Sequence, residues 1–431
     1  MTLGEVCAEG GGFIRTGPFG SQLHQSDYVD DPKGVPVVMP KDMAGGRIDL
    51  TSIARIDQET AERLSHHLLA AGDIVLSRRG DVGRTAWITE EDVPVLCGTG
   101  SMRIHPGSDG PVLPPFLRYY MRSRPAIDYL EGQAVGATMP NLNAGIVAGV
   151  PVTVLPRAQQ AQVAAVLTTI EDLIENNRRR IELLEQMAQA IYREWFVHFR
   201  CPGHEDDELV DSDLGPIPEG WKVSALGDLL DVDKGLSYKG SFLTEVGIPM
   251  VNLKCIRPDG GFRRDATKPY SGPFKPKHEV VAGDLVVANT DLTQAGAVIG
   301  SPAFVPAQGF ESGGILSHHL FAIRSHDGVL LHWLYQMFCS EEFRSYARGV
   351  ASGTTVLGFR PADLLAYTVP CPPSAVVEVF AGMAGDLNKM AEDLNDAADQ
   401  LAAMRDLLLP KLVTGQIDVS DLDLDALGSV G

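Results

Sequence analysis

The stretch GQAVGATMP (132–140) recurs further along the chain as GVASGTTVL (349–357), with four of nine positions identical. The same displacement pairs further identical residues on both sides of this stretch: Leu117 with Leu334, Ser123 with Ser340, Val152 with Val369, Pro156 with Pro373, Ala164 with Ala381, Glu175 with Glu392, Leu184 with Leu401 and Met187 with Met404. One ungapped register of this length is not expected from chance matches of small residues. We interpret the chain as a tandem duplication.

The register slips further upstream, as expected if loops differ in length. AGDIVLSRRGDVGRTAWI (71–88) corresponds to AGDLVVANTDLTQAGAVI (282–299), and GVPVV (34–38) corresponds to GIPMV (247–251). Within the longer pair the flanks agree, whereas the centres read RRGDVGRT in one copy and NTDLTQAG in the other. A constant scaffold with a variable polar insert is typical of a recognition loop, although solvated turns with drifted sequence would look the same.

Each copy has two parts. The first is rich in Gly and Pro and contains short β-branched runs, which predict strands and turns in a mixed α+β domain. The second follows Pro156 or Pro373 and carries apolar residues at alternating steps of three and four, which predicts a helix of about 40 residues, roughly 55–60 Å long. The predicted seam comprises Val163, Val166, Ile170, Leu173, Asn177, Leu184, Met187 and Ile191 in one helix, and Phe380, Met383, Leu387, Met390, Leu394, Ala397, Leu401, Met404 and Leu408 in the other.

One such helix would suit an ordinary bundle, but two equivalent helices favour packing on each other. Antiparallel packing would give a pseudo-twofold axis, and Asn177 would be a register-fixing polar residue within the coiled-coil core. We therefore predict an α+β fold of two duplicated globular domains separated by a rod of two antiparallel coiled-coil helices. The predicted segments are domain 1 (1–157), a central long helix (158–199), an acidic linker (200–222), domain 2 (223–373), a C-terminal long helix (374–416) and an acidic tail (417–431).

The composition is that of an ordinary soluble protein with a formal charge of −20. Most of this charge lies in 201–225 and 374–431, so the two large domains are nearly neutral and a nucleic-acid partner is not excluded. The sequence has no apolar run long enough for a membrane span and no signal-peptide start, which predicts a cytoplasmic protein without a membrane partner. Six scattered cysteines without a C-x-x-C pair predict reduced thiols and no zinc site.

The sequence contains no convincing catalytic motif. LPPF (113–116) differs by one residue from the [N/D/S]-P-P-[Y/F] signature of amino-methyltransferases, and Leu113 lacks the oxygen that would hold an amine. GGGF (10–13) lacks the dinucleotide-binding spacing, no phosphate-binding P-loop is present, and the adjacent pairs His66-His67 and His318-His319 do not form a ligand pattern. We therefore predict no catalytic residues and no metal site.

The motifs in their order carry a family resemblance. The run LGEV, GPFGSQLHQSDYV, GVPVVMPKDM, AGDIVLSRRGDVGRTAWI, LPPFLRYYM, GATMPNLN, VPVTVLPRAQQAQVAAVL and LLEQMAQAIYREWFVHF resembles one half of the DNA-specificity subunit of type I restriction-modification systems. The part from IPEGWKVSALGDL (217–229) to RDLLLPKLVTGQID (405–418) is similar to the other half. His24 stands where the family often has a lysine, so the resemblance transfers no particular base contact.

The resemblance implies a non-catalytic subunit in which each globular domain is a target-recognition domain for one half of a bipartite double-stranded DNA site. The two helices would set the unread spacer. Two adenine-methyltransferase subunits would dock on it, restriction subunits would add translocation and cleavage, and S-adenosylmethionine, ATP and Mg²⁺ would be bound by those partners and not by this chain. A coiled-coil adaptor that binds no DNA and a self-sufficient DNA methyltransferase remain the alternatives.

Candidate DNA contacts follow from the inserts, the shared loops and the local cations. Arginine can contact guanine, asparagine and glutamine can contact adenine, and lysine and hydroxyl groups contact phosphate. The candidates are Ser21, Lys41, Arg78, Arg79, Arg84, Arg103, Thr138 and Asn141 in the first copy, and Lys239, Asn252, Lys254, Asn289, Thr293, Gln294, Thr355 and Arg360 in the second. Positions alike in both copies are expected to serve the fold or the DNA backbone, and base reading is expected where the copies differ.

Overall fold

The computed structural model describes residues 1–136, 140–205 and 207–420. They form two compact units: unit 1 comprises Met1–Glu175 with the described residues from Asp399 onward, and unit 2 comprises Asn176–Ala398. None of the helices within these ranges is both long and apolar enough to cross a membrane.

Unit 1 is a mixed α+β unit built on two four-stranded sheets and the two-stranded sheet β4-β5. Its strands are β1 (Gly11–Thr16), β2 (Tyr28–Val29), β3 (Val35–Val38), β4 (Met43–Ala44), β5 (Arg47–Ile48), β6 (Arg55–Ile56), β7 (Ile74–Ser77), β8 (Thr85–Trp87), β9 (Leu96–Cys97) and β10 (Ser101–Gly107). Its helices are α1 (Leu3–Glu9), α2 (Gln58–Arg63), α3 (Pro114–Tyr120), α4 (Arg124–Gln133), α5 (Ala144–Ala148) and the first half of α6 (Arg157–Tyr192).

The main sheet of unit 1 has the antiparallel order β1-β10-β7-β8. Strand β7, with the sequence IVLS, is buried at every position, as expected for a continuous apolar run in the centre of a sheet. The second sheet has the order β2-β6-β3-β9, and its β3–β9 pair is parallel. Helix α1 begins with a capping box between Thr2 and Glu5 that satisfies two backbone amides.

Unit 2 repeats this plan. Its strands are β11 (Leu209–Val210), β12 (Ile217–Pro218), β13 (Lys222–Ala225), β14 (Leu230–Lys234), β15 (Leu243–Val251), β16 (Lys268–Tyr270), β17 (Glu279–Val280), β18 (Leu285–Ala288), β19 (Thr290–Asp291), β20 (Pro302–Phe304), β21 (Gly314–Leu316), β22 (Leu320–Ser325), β23 (Leu357–Gly358) and β24 (Thr368–Cys371). Its helices are α7 (Leu330–Cys339), α8 (Glu341–Val350), α9 (Pro361–Leu365) and α10 (Ser374–Val413), the last of which ends within unit 1.

The main sheet of unit 2 has the order β14-β22-β18-β20, which is the topology of β1-β10-β7-β8. The counterpart of β8 is therefore β20, so the connection after β18 is longer than the sequence alignment predicts. The second sheet contains the parallel pair β15–β21, which corresponds to β3–β9. Helices α8, α9 and α10 are displaced from α4, α5 and α6 by the same interval as the repeated motif. The repeat read from the sequence is a repeat of strand order and helix position.

The two long helices begin where the prolines predict, α6 directly after Pro156 and α10 directly after Pro373. The start of α6 is tied to unit 1 by the buried side chain of Gln160. Its amide oxygen accepts a hydrogen bond from the backbone of Leu113 at 2.7 Å, and its nitrogen donates to the carbonyls of Pro111 and Leu155 at 2.9 and 2.7 Å. At its other end, α6 continues into a π-turn, Arg193–Val197, which buries both Trp195 and Phe196.

Half of the predicted seam is displaced by one residue. The predicted core positions Ile170, Asn177, Leu184, Ile191, Leu387, Leu394, Leu401 and Leu408 are buried or half-buried. The intervening buried positions, however, are Leu167, Ile174, Ile181 and Ala188 in α6, and Ala384, Ala391 and Ala398 in α10. The predicted Met187, Met390 and Met404 are 52%, 49% and 43% exposed.

At Ala188, Ala384 and Ala391 the displacement has a simple cause. The sequence pattern favoured the preceding methionine because methionine is larger and more apolar than alanine. A helix surface that is closely packed accepts alanine instead, since its small side chain allows close approach. The predicted seam of α6 also skipped the position of Arg180; in the structure the neighbouring Ile181 is buried and Arg180 is exposed.

Each long helix contributes to two different cores. In unit 1, Val163 and Leu167 of α6 share a core with Leu409 and Leu412 of α10. In unit 2, Tyr192, Trp195 and Phe196 share a core with Val377 and Phe380, and the rings of Phe196 and Phe380 lie edge to face at 4.9 Å. The helices were predicted as segments of their own, whereas the compact units divide each helix because its two halves bury their apolar faces in different places.

The predicted acidic linker and tail are partly integrated. Strands β11 and β12 pair within 200–222, and Cys201, Ile217 and Trp221 lie in the core of unit 2. Val419 of the tail is buried in the core of unit 1, where Gln159 also donates to Asp418 at 3.1 Å. Residues 421–431 lie outside the described residues.

Candidate nucleic-acid interface

The two variable inserts occupy the same place in the two main sheets. The insert of unit 1 (78–85) leaves β7 and returns as β8, and the insert of unit 2 (289–296) follows β18 and precedes β20. In both units the first insert residue is anchored through its backbone. The amide of Leu142 donates to the carbonyl of Arg78 at 2.8 Å, and the amide of Phe359, at the equivalent position, donates to the carbonyl of Asn289 at 3.0 Å.

Beside each insert lies a segment that we call the glycine loop, described at 135–136 and 140–141 in unit 1 and over 352–358 in unit 2. Backbone bridges close both loops at equivalent residues, Val135 with Asn141 and Ser352 with Gly358. Gly136 and Gly353 both have positive φ values in the range that disfavours any residue with a Cβ. A Cβ on Gly353 would also overlap the carbonyl oxygen of Val356. The glycine that the repeated motif shares at positions 136 and 353 is therefore required by the loop conformation.

The glycine loops contact the inserts directly. Arg79 forms a backbone bridge with Asn141, and Gly80 donates to the carbonyl of Pro140 at 3.1 Å. In unit 2, β19 pairs with β23, and the side chain of Gln294 donates to the carbonyl of Thr354 at 3.1 Å. Thr138, a predicted contact within the first loop, lies outside the described residues. Each unit thus combines a loop common to both copies with an insert of its own sequence.

The insert of unit 1 is cationic. Arg79 and Arg84 are exposed, and Arg84 forms an ion pair with Asp81. Arg78 is only 7% exposed, and burial lowers the pKa of its guanidinium from the usual value. Its Nε atom has no hydrogen-bond partner within the described residues. The exposed arginines are suited to contact phosphates or guanine edges, whereas Arg78 lies at the base of the insert.

The insert of unit 2 contains no lysine or arginine. Asp291 organises it by accepting hydrogen bonds from the amide and hydroxyl of Thr293 at 2.7 and 2.8 Å and from the amide of Val298 at 3.0 Å. Burial opposes ionisation of Asp291, but these hydrogen bonds outweigh it and hold its pKa below the usual value. Thr293 and Gln294 are exposed. This surface presents neutral donors and acceptors.

Two histidines, which the sequence pattern did not connect with the site, support the second insert. Asn289 donates from its backbone to the carbonyl of His319 at 3.0 Å and from its side chain to the carbonyl of His318 at 3.2 Å. The hydroxyl of Thr290 lies 2.8 Å from Nδ1 of His319. Burial lowers the pKa of His319 to about 4, so its imidazole is neutral at pH 7 and accepts this hydrogen bond.

A buried arginine is a second feature that the sequence did not reveal. Arg344 of α8 donates to the carbonyls of Ala297 at 2.6 Å and of Ile299 and Pro258 at 2.7 Å. Residues 297 and 299 directly follow the insert, so this side chain fixes its exit. No local pattern could indicate this role, because the three acceptors are backbone groups distant in sequence.

The other predicted contacts differ in their surroundings. Ser21, Lys41, Lys239, Lys254 and Thr355 are exposed. Lys41 lies 3.5 Å from Asp42, and Arg360 is exposed but held by Asp363 at 2.7 Å at the start of α9. Asn141 is half-buried.

Three predicted contacts make structural interactions instead, namely Arg103, Asn252 and Asn289, whose buried side chain donates to the carbonyl of His318 as described above. The Nε atom of Arg103 lies 2.6 Å from the buried carboxylate of Asp73, its Nη1 donates to the carbonyl of Leu68 at 2.7 Å, and its guanidinium covers the ring of Phe13. Asn252 donates to the carbonyl of Ala266 at 2.7 Å and accepts from the amide of Lys254 at 2.9 Å. Arg103 is held within unit 1 by its ion pair with Asp73 and its hydrogen bond to Leu68, and Asn252 is held within unit 2 by its hydrogen bonds to Ala266 and Lys254. These interactions oppose the predicted DNA contacts.

The described residues contain no group of three or more histidine, cysteine or acidic side chains that could hold a metal ion. The six cysteines are free thiols, and burial raises the pKa of Cys7 to about 11 and that of Cys97 to about 12.

Comparison with known proteins shows a consistent similarity. Residues 13–186, which cover most of the first copy, match the family model described as the type I restriction modification DNA specificity domain. The specificity subunit of the type I restriction enzyme MjaIX of Methanocaldococcus jannaschii is 25% identical over 400 residues, which are 90% of this chain and 88% of the relative. The chain thus contains a match to this specificity domain and is similar to a type I specificity subunit over most of its length.

Other specificity subunits extend the similarity. The specificity subunit of the HindI enzyme of Haemophilus influenzae is 21% identical over 422 residues, which cover 80% of this chain and 86% of that relative. The crystal structure of the type I S subunit of M. genitalium superposes with a TM-score of 0.54 at 14% identity and covers 96% of this chain and 95% of that one, which supports the same fold. The relatives are named specificity subunits, which agrees with the specificity role predicted for this chain.

Proposed function

We propose that each unit of this specificity subunit reads one half of a bipartite double-stranded DNA site. The observation that carries the proposal is the pair of inserts, which occupy one topological position but have unlike sequences. The cationic insert of unit 1 would contact guanine edges or phosphates, and the neutral insert of unit 2 would contact bases through Thr293 and Gln294. The glycine loops would approach the DNA backbone.

The helices α6 and α10 would form the antiparallel spacer between the two half-sites. In support of this, the beginning of α6 shares a core with the end of α10 in unit 1, and the end of α6 shares a core with the beginning of α10 in unit 2. This exchange, together with the repeated topology, is what a pseudo-twofold arrangement requires. The distance between the recognised half-sites would then depend on the length of the two helices.

The subunit would act with partners. By analogy with the relatives, whose names describe them as parts of type I restriction enzymes, two adenine-methyltransferase subunits would dock on it, and restriction or translocase subunits would complete the restriction enzyme. S-adenosylmethionine, ATP and Mg²⁺ would be bound by those subunits. Because the chain has a formal charge of −20, we expect the partners to supply part of the phosphate neutralisation.

An exchange of inserts tests the division of the site. In cells that contain this subunit and its methyltransferase partner, methyladenine sequencing should reveal one bipartite motif. Replacing 289–296 of unit 2 with RRGDVGRT should change only the half-motif read by unit 2, because unit 1 is untouched. If both half-motifs change, or if methylation persists and neither half-motif changes, the proposal that each unit reads one half-site is wrong.

A change of helix length tests the spacer. Seven residues inserted in register between 175 and 176 and between 398 and 399 would lengthen both helices by about 10 Å, which corresponds to about three base pairs of DNA. The spacer of the methylated motif should lengthen accordingly. Insertion into only one helix should abolish methylation because the two seams no longer align. An unchanged spacer after the double insertion would refute the proposal.

A further inference from the structure

Unit 2 contains a cavity of about 360 Å³ whose lining includes no residue of the insert or of the glycine loop. It lies among α7, α10, the strand β20 and the turn that follows Arg257. Its size falls at the lower end of the range of about 300–1,000 Å³ that is typical of small-molecule sites.

The same position in unit 1 is filled. The repeat and the register of the main sheets identify the counterparts of Phe304, Tyr335, Cys339 and Asn388 as Trp87, Arg118, Arg122 and Glu171. In unit 1 the guanidinium of Arg118 lies over the ring of Trp87 at 5.4 Å, Arg122 forms an ion pair with Glu171, and a void of only about 30 Å³ remains. Unit 2 lacks both guanidinium groups and the carboxylate. The cavity in unit 2 therefore results from side chains that differ between the two units at equivalent positions of the same fold.

One wall of the cavity is aromatic. The rings of Phe304 and Tyr335 stack at 5.0 Å with an interplanar angle of 14°, and the ring of His332 lies 5.2 Å from Phe304. Gly385 of α10 faces this wall, because a Cβ at that position would lie 3.2 Å from Nε2 of His332. A planar ring is the shape that such a wall accommodates best.

The cavity also offers a paired donor and acceptor. Burial lowers the pKa of His332, which favours the neutral imidazole. The side-chain nitrogen of Asn388 donates to Nδ1 of His332 at 3.0 Å, so Nδ1 is the acceptor and the hydrogen of the imidazole is on Nε2. Nε2 can therefore donate to a ligand. The amide oxygen of Asn388 accepts no hydrogen bond from the described residues and is available as the acceptor.

The charged side chains around the cavity already have partners. Arg257 pairs with Glu185, Arg264 pairs with Asp396, and Lys389 pairs with Asp393 at 3.0 Å. Glu392 accepts a hydrogen bond from the backbone of Ala307 at 2.9 Å. Because the cations are paired, a free anionic group of a ligand would find no unpaired counter-charge among them. The lining therefore favours a neutral ligand.

We infer that this cavity is a binding site for a small, neutral, planar heteroaromatic molecule of the nucleobase class. Its ring lies along the wall formed by Phe304, and its polar edge accepts from Nε2 of His332 and donates to the amide oxygen of Asn388. The site is independent of the DNA-reading surface, although β20 connects the two, since it is the strand that follows the insert of unit 2.

Titration of the full-length chain with the free base 2-aminopurine tests this inference, because stacking on an aromatic ring quenches its fluorescence. We expect saturable quenching with a Kd of about 10 μM to 1 mM, the range for a ligand of about ten heavy atoms. Adenine should compete. Indole, which has a similar ring but lacks a paired donor and acceptor, should bind at least tenfold more weakly.

Two glycines of α10 provide a matched pair of variants. Gly385→Leu places a side chain in the cavity and should weaken binding at least tenfold, whereas Gly382→Leu, whose Cβ would meet no atom within 4 Å, should leave Kd within twofold. Asn388→Leu removes the hydrogen-bonding amide without filling the cavity and should weaken binding about tenfold. This variant tests the inference if Gly385→Leu fails to fold. Absence of saturable quenching, equal affinity for indole, or undiminished binding by a folded Gly385→Leu or Asn388→Leu variant would overturn the inference.

Discussion

The backbone amide of Leu142 donates a 2.8 Å hydrogen bond to the carbonyl of Arg78, and this contact joins the glycine loop of unit 1 to its variable insert. The equivalent contact in unit 2 joins two different residues, Phe359 and Asn289. Because the bond uses only backbone atoms, it survives any change of side chain. The insert sequence can therefore vary between copies while its anchorage remains the same.

The exposed arginines of the first insert should carry recognition by unit 1. We expect Arg79→Ala and Arg84→Ala each to weaken binding of the cognate DNA by the subunit with its methyltransferase partner about tenfold or more, since a specific arginine contact contributes about 1–3 kcal/mol. Fluorescence anisotropy at fixed salt concentration measures this. Arg178→Ala, at an exposed position of α6, serves as the control, and an equal loss there would show a non-specific charge effect.

The glycine at position 353 should be required by its backbone conformation. Its φ is positive, and a Cβ there would overlap the carbonyl oxygen of Val356. Gly353→Ala should therefore lower the free energy of unfolding of unit 2 by about 1–3 kcal/mol. Gly349→Ala, in the same motif but within α8 and facing open space, should instead raise it by about 0.5–1 kcal/mol. Urea denaturation compares them, and equal effects would mean that the loop tolerates a Cβ.

The displaced seam predicts opposite outcomes for two adjacent residues. Ala188→Glu buries a carboxylate and should destabilise unit 2 by about 2–4 kcal/mol. Met187 is exposed, so Met187→Glu should leave the free energy of unfolding almost unchanged, as is usual for substitutions at the surface. Thermal unfolding of the two variants decides between the predicted and observed seams. If Met187→Glu lowers the unfolding temperature more than Ala188→Glu does, the seam predicted from the sequence, with Met187 buried, would be correct.

The neutral state of His319 predicts a pH dependence. Its pKa is lowered from 6.5 to about 4 in the folded protein, so between these values the unfolded chain binds more protons. Stability should therefore fall as the pH decreases from about 6.5 to 4 and should level off below this range. His319→Gln should flatten that part of the profile, measured by urea denaturation at a series of pH values. An unchanged slope would assign it to other groups, among them His318, whose pKa is also lowered by burial.

Much of the architecture could be predicted because the duplication provides an internal comparison. The constant residues indicated the scaffold, the prolines indicated where α6 and α10 begin, and the differing centres located the inserts between the corresponding strands. The surroundings of the candidate recognition residues could not be predicted. Arg103 and Asn252 have the chemistry of DNA contacts, but nothing local to them shows that Asp73 and Ala266 engage their side chains.

The amino-acid sequence was sufficient to predict the repeat and the strand and helix classes, because these depend on periodicity and on identities that recur along the chain. The folded structure was needed to show which polar side chains remain exposed, which face of each long helix is buried, and where unit 2 leaves a cavity that unit 1 fills. These features depend on contacts between residues far apart in the chain. Arg344, for example, is buried because three distant carbonyls converge on it.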